Sequence, residues 1–150
     1  MMVSVANVAA YILENSKPMT TMKLQKLVYY VQAMSLYRTG KPLVDTEFYA
    51  WINGPVSREL FNLHKGLFMI RRRDLQGVNP DEQIGVEDKK IIDSVLEILG
   101  DESGNDLSER THEEDPWRDA RQGLQPNQLG TTPITREAML RYYRTHPIQN

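Results

Sequence analysis

Lys23-Leu24-Gln25-Lys26-Leu27-Val28-Tyr29-Tyr30, followed later in the chain by Ala50-Trp51-Ile52-Asn53-Gly54-Pro55-Val56, is the pair of stretches on which the fold turns. In the first, Leu24, Leu27, Val28, Val31 and Met34 fall on one helical stripe, while Lys23, Gln25 and Lys26 fall outside it. That spacing predicts an amphipathic helix. The second stretch reads as a short strand broken by Asn53-Gly54-Pro55, with Pro55 suited to the first position of a following helix. A helix, a strand and a Gly-Pro corner form a compact unit for the other segments to cover.

Working outward, Ser4 can cap a first helix in which Val5, Val8, Ala9, Ile12 and Leu13 keep the same spacing, and Pro18 forbids its continuation. Thr20 or Thr21 can cap the second helix, which Gly40 ends. The strand is expected over Thr46–Ile52, and the helix after it carries Val56, Leu60, Phe61 and Leu63 as far as Gly66. Leu67-Phe68-Met69-Ile70 suits either the end of that helix or a second strand. A helix over Val86–Leu99 follows, with Ile91, Ile92, Val95 and Leu99 on one face and Gly100 at its end. Asp106 and Asp115 can cap two short helices, the second opening on Pro116, and Thr135 can cap a last one carrying Met139, Tyr142 and Tyr143. The expectation is one mainly α domain over residues 1–150, with six or seven helices and one or two short β-strands.

The composition is that of an ordinary globular protein of 150 residues, 40% hydrophobic and 25% charged. With no cysteine the chain has no disulfide, no thiolate metal site and no thiol nucleophile. No apolar run approaches the ~18 residues of a membrane-spanning helix, and the N-terminus lacks the basic start of a signal peptide, so a cytoplasmic location is expected. The net charge of −2 hides an uneven distribution. Residues 1–80 hold ten Lys/Arg against five Asp/Glu, and residues 81–119 hold four against fourteen. Such asymmetry fits either two parts of one domain facing each other or a charged partner.

His112, Glu113, Glu114 and Asp115 form the densest polar cluster, which suggests a metal or general acid/base site and hence a small enzyme. Spacing argues against it: the position four residues beyond His112, where a zinc-protease helix needs its second histidine, is Pro116. A phosphate loop, a dinucleotide fingerprint and a serine elbow are also missing. No cofactor is expected. Arg71-Arg72-Arg73 is the one basic run, a weak basis for a DNA-binding regulator. Tyr29 and Tyr30 point about 100° apart on their helix, so one suits the core and the other the rim or a partner-binding surface.

Lys23-Leu24-Gln25-Lys26-Leu27-Val28-Tyr29-Tyr30, Ala50 to Val56, Leu107-Ser108-Glu109-Arg110-Thr111-His112, Pro116-Trp117 and Ala120-Arg121 together resemble the SocA-like family, also called the Panacea domain, whose members are often labelled phage-associated GepA-like proteins. The resemblance runs from about Leu13 to Tyr143. It implies an antitoxin of a toxin–antitoxin system, binding a cognate protein toxin directly or handing it to a protease as an adaptor. It implies no catalytic residue, and nucleic-acid binding only where a relative carries a further domain. A homo-oligomer is left open. On this reading Lys23, Gln25, Tyr29, Tyr30, Trp51, Gly54, Pro55, His112, Glu113, Pro116, Trp117 and Arg121 serve the scaffold or a partner surface. His112 and Trp117 are then expected to pack near the Gly-Pro corner, and Arg121 to offer its fork of donors to a carboxylate.

Overall fold

The computed structural model describes residues 2–149. A short strand β1 (Val3–Ser4) runs into helix α1 (Val5–Glu14), where the Ser4 hydroxyl accepts the Asn7 amide as a cap. Strand β2 (Met19–Thr20) leads into α2 (Thr21–Thr39), capped by Thr20 and ended by Gly40 in the left-handed conformation. Then come β3 (Val44–Asp45), β4 (Phe48–Trp51), β5 (Gly54–Ser57) and α3 (Arg58–His64). Strand β6 (Met69–Ile70), one 3-10 turn, α4 (Pro80–Gln83) and α5 (Val86–Leu99) follow. Helices α6 (Gly104–His112) and α7 (Asp115–Ala120), strand β7 (Pro133–Ile134) and α8 (Arg136–Tyr143) complete the described chain.

The fold is mainly α, as expected, but with eight α-helices and seven short strands among the described residues instead of six or seven and one or two. The strands escape sequence reading because most are two residues long. Their pairs close between distant segments: β1 with β3, β2 with β6, and β4 between β5 and β7. A two-residue strand has no period to detect.

Helix α2 is the axis of the domain. It packs against α1, α3, α5, α6 and α8 and against β5, and every residue from Leu24 to Leu36 is buried. The predicted apolar stripe is therefore only part of the buried surface, and Gln25 and Lys26 are inside it. Leu27, Val28, Val95 and Leu99 lie together in the one hydrophobic core.

Two glutamines make this all-round burial possible. Gln25 accepts the Ser57 amide (2.9 Å) and donates to the Ser57 carbonyl (3.1 Å), standing in for a neighbouring strand along β5. Two helical turns on, Gln32 does the same for the Leu43–Val44 backbone. A helix side chain thus satisfies strand groups that would otherwise be buried without partners.

The readings of the Gly-Pro corner and of two helix starts are corrected. Pro55 lies in β5, paired with Ala50 across the hairpin, and the following helix starts only at Arg58 under a Ser57 cap. The residues after the Gly-Pro corner gain more from the β4 ladder than from starting a helix early. Ser103, not Asp106, caps α6, and α7 begins at Asp115 behind Glu114. No ion pair among the described residues joins the basic segment to the acidic one. All five pairs among the described residues lie within one segment, such as Arg72–Glu14 (2.7 Å) and Arg110–Glu102 (2.8 Å).

Candidate functional site: a gripped hairpin and the cleft beside it

The β4–β5 hairpin turns at Ile52-Asn53 and closes at Gly54, where φ is +116°. A side chain there would be strained, and its Cβ would stand 2.6 Å from Lys26 Cε and 2.9 Å from Thr111 Oγ1. Gly54 therefore lets Lys26 of α2 and Thr111 of α6 approach the hairpin backbone closely.

Helices α6 and α7 take up the hairpin's carbonyls. Ser108 Oγ donates to Asn53 O (2.6 Å), Trp117 Nε1 to Trp51 O (2.8 Å) and Arg121 Nη1 to Ala50 O (2.8 Å). Arg121 Nη2 donates to the carbonyls of Gln125 and Gln128. The fork expected to meet a carboxylate instead meets backbone oxygens, because the loop after α7 wraps around the guanidinium. Pro116 is buried at the second helical position of α7, and Lys23 donates to Gly100 O (2.6 Å) at the end of α5.

His112 stacks on Trp117 with ring centroids 4.0 Å apart and 22° between planes. Burial lowers its pKa. Its Nε2 is enclosed without a hydrogen-bond partner among the described residues. Glu113, the other half of the suggested acid/base cluster, is exposed. Among the described residues no three His, Asp or Glu side chains come together as a metal shell. With stacking as its main contact, His112→Ala should lower stability by about 1–2 kcal/mol and reduce partner binding only in proportion to lost folded protein. Stoichiometric metal in the purified protein, removed by the same substitution, would contradict this.

Tyr29 and Tyr30 are both fully buried, so neither is a surface anchor. The reason is Glu114. Tyr30 and Tyr143 both donate to its Oε1 at 2.7 Å, and Tyr143 lies 3.1 Å from the Tyr29 hydroxyl. Burial raises the Glu114 pKa, and the two tyrosine hydroxyls offset part of that rise. The cluster closes the core between α2 and α8.

Beside the hairpin an open, mostly apolar cleft of about 300 Å³ is lined by Gln25, Lys26, Trp51, Val56, Phe61 and His64 among others. The Gln25 amide orientation is set by its bonds to Ser57, so its Nε2 donates to His64 Nε2 (3.0 Å). An amide nitrogen cannot accept, which makes His64 neutral with its proton on Nδ1. Burial, aided by the nearby Lys26 charge, lowers the His64 pKa in the same sense. Lys26 is 1% exposed. Its Nζ makes one hydrogen bond, to Pro55 O (3.1 Å), and burial lowers its pKa to about 7.

Sequence reasoning placed Lys26 outside the core and left His64 unassigned. Lys26, Gln25 and Gln32 are polar residues inside a segment dense in Leu, Val and Tyr, a signal that the helix is enclosed on all sides. Nothing local marked His64. The Arg71-Arg72-Arg73 run is not a free basic patch either, since Arg72 binds Glu14 and the carbonyls of Leu75 and Val78.

A mainly α domain whose hairpin carbonyls are held by helix side chains is a packed scaffold with an open cleft beside that hairpin. The chain belongs to the antitoxin SocA-like, Panacea domain family, whose pattern it matches over residues 24–118, from α2 through the Trp117 grip. That span is narrower than Leu13–Tyr143 and leaves Arg121 and α8 outside. No curated protein and no solved structure matches the chain.

Proposed function

We propose that this chain is the antitoxin of a toxin–antitoxin pair and silences a cognate protein toxin in the cytoplasm by binding it without turnover. Family membership over residues 24–118 carries the reading. Two features support it. The polar residues of the matched span bind the protein's own backbone, as Gln25, Lys26 and Trp117 do. No helix of the described residues is long and apolar enough to cross a membrane.

The acidic segment 81–119 suits a basic toxin, and charge complementarity there would speed association more than it tightens the complex. The test is co-expression with the adjacent gene, then titration of the purified pair. Neutralisation should require about one chain per toxin site and should slow with added salt. Rescue by a trace of chain far below the toxin concentration would overturn stoichiometric binding. Rescue only when a cellular protease is present would replace direct silencing by the adaptor route.

A further inference from the structure

The cleft beside the hairpin has an unusual floor. Lys26 is buried, holds a single hydrogen bond, and has no carboxylate within ion-pair distance among the described residues. The residues lining the cleft include this one lysine and no Asp or Glu. Its walls are Trp51, Val56 and Phe61, and Ile52 and Leu129 stand exposed at the mouth, Leu129 by 62%. Buried ammonium groups are ordinarily paired, because an unpaired one costs the fold several kcal/mol of desolvation. Here the acceptor supplied by the chain is one carbonyl, which leaves two N–H donors on Nζ for a group that enters from the cleft.

We propose that this cleft is the anchor site for the protein partner, and that it takes an aspartate or glutamate side chain adjoining an apolar residue. The apolar side chain fills the space between Trp51, Val56 and Phe61, and the carboxylate pairs with Lys26. The neutral His64, its Nε2 taken by Gln25, lines the cleft without adding a charge. The volume suits one large side chain with its neighbour, at the small end of ligand sites. This rests on the toxin-binding reading and adds the surface and the chemistry it recognises.

The test uses the full chain and the toxin encoded beside it. Lys26→Met keeps the aliphatic stem and removes the charge, and Leu129→Glu places a like charge at the exposed mouth. Each should weaken toxin affinity by at least about tenfold, the worth of a charge-assisted bond, while circular dichroism and the denaturation midpoint report an intact fold. Toxin bound by both variants within about twofold of wild type overturns the anchor and leaves the antitoxin reading standing. No toxin binding by the wild-type chain overturns that reading instead.

A second arm needs no toxin. 3-Phenylpropionate should shift the Trp51 indole resonance of the wild-type chain, 3-phenylpropanol should do so much less, and Lys26→Met should abolish the difference. Equal binding of acid and alcohol overturns recognition of a carboxylate. A preference for the acid together with unaltered toxin binding by Lys26→Met makes the cleft a small-molecule carboxylate site and overturns the docking proposal.

Discussion

At pH 6, Lys26→Met is expected to be more stable than the wild-type chain, by on the order of 4 kcal/mol. The lysine titrates at 10.5 in the unfolded chain and at about 7 in the folded one, and burial is the cause. Between those values the unfolded state holds the additional proton, so wild-type stability rises with pH from about 7 to about 10.5. Below pH 7 the ammonium is charged in both states and the whole penalty is carried, corresponding to roughly 4–5 kcal/mol. Methionine removes it and gives back about 1 kcal/mol by taking the Nζ donor from Pro55 O. Burial lowers the pKa of His64 and His112 and the Lys26 charge lowers both a little further, so both become slightly more basic in the variant, which adds to its gain at the acid end. At pH 9 the advantage should fall to about 1 kcal/mol, since part of the penalty has been relieved by deprotonation. Denaturant midpoints of both proteins at pH 6 and pH 9 measure this. A difference that does not change between the two pH values would show that Lys26 is not a buried, charge-penalised group.

Gln32→Leu should destabilise the domain by about 3–5 kcal/mol despite the similar size and greater hydrophobicity of leucine. Gln32 is fully buried, and its carboxamide holds the amides of Leu43 and Val44 at 2.8 Å each and the Val44 carbonyl at 3.0 Å. The Val44 carbonyl keeps a second partner in the Thr46 amide, but the two N–H groups are left without acceptors in the core. Each such orphan costs about 1–3 kcal/mol. The β1–β3 ladder pairs Val3 with Val44, so that ladder should loosen first. Accelerated hydrogen exchange at the Val44 amide, before any change at α5, is the local sign. A loss below about 1 kcal/mol would mean that water replaces the carboxamide.

How far the domain could be read from its sequence differs by element. Helices α1, α5 and α8 were legible because their signals are local: a 3.6-residue apolar spacing, Ser4 or Thr135 at the start, Gly100 at the end of α5. The core membership of Leu27, Val28, Val95 and Leu99 followed from the same spacing. The ordered motifs were enough for the family.

Other properties required elements far apart in the chain to come together. Phe48 pairs with Ser57 on one side and with Ile134 on the other, and no local pattern announces the second pairing. Tyr30 was a candidate for the surface until Glu114 and Tyr143, from distant segments, closed over it. Arg121 was given a carboxylate and found carbonyls, because hydrogen-bonding capacity is a property of the residue but the partner is a property of the packing. Lys26 shows this most sharply. On a helix with one apolar face a lysine outside the stripe belongs to water. Once α1, α3, α5, α6, α8 and β5 surround α2, that solvent face no longer exists, and the same side chain becomes a buried ammonium with one acceptor at the floor of a cleft. Periodicity records which faces of a helix are apolar. The number of its faces that are covered is decided only when the chain has folded around it.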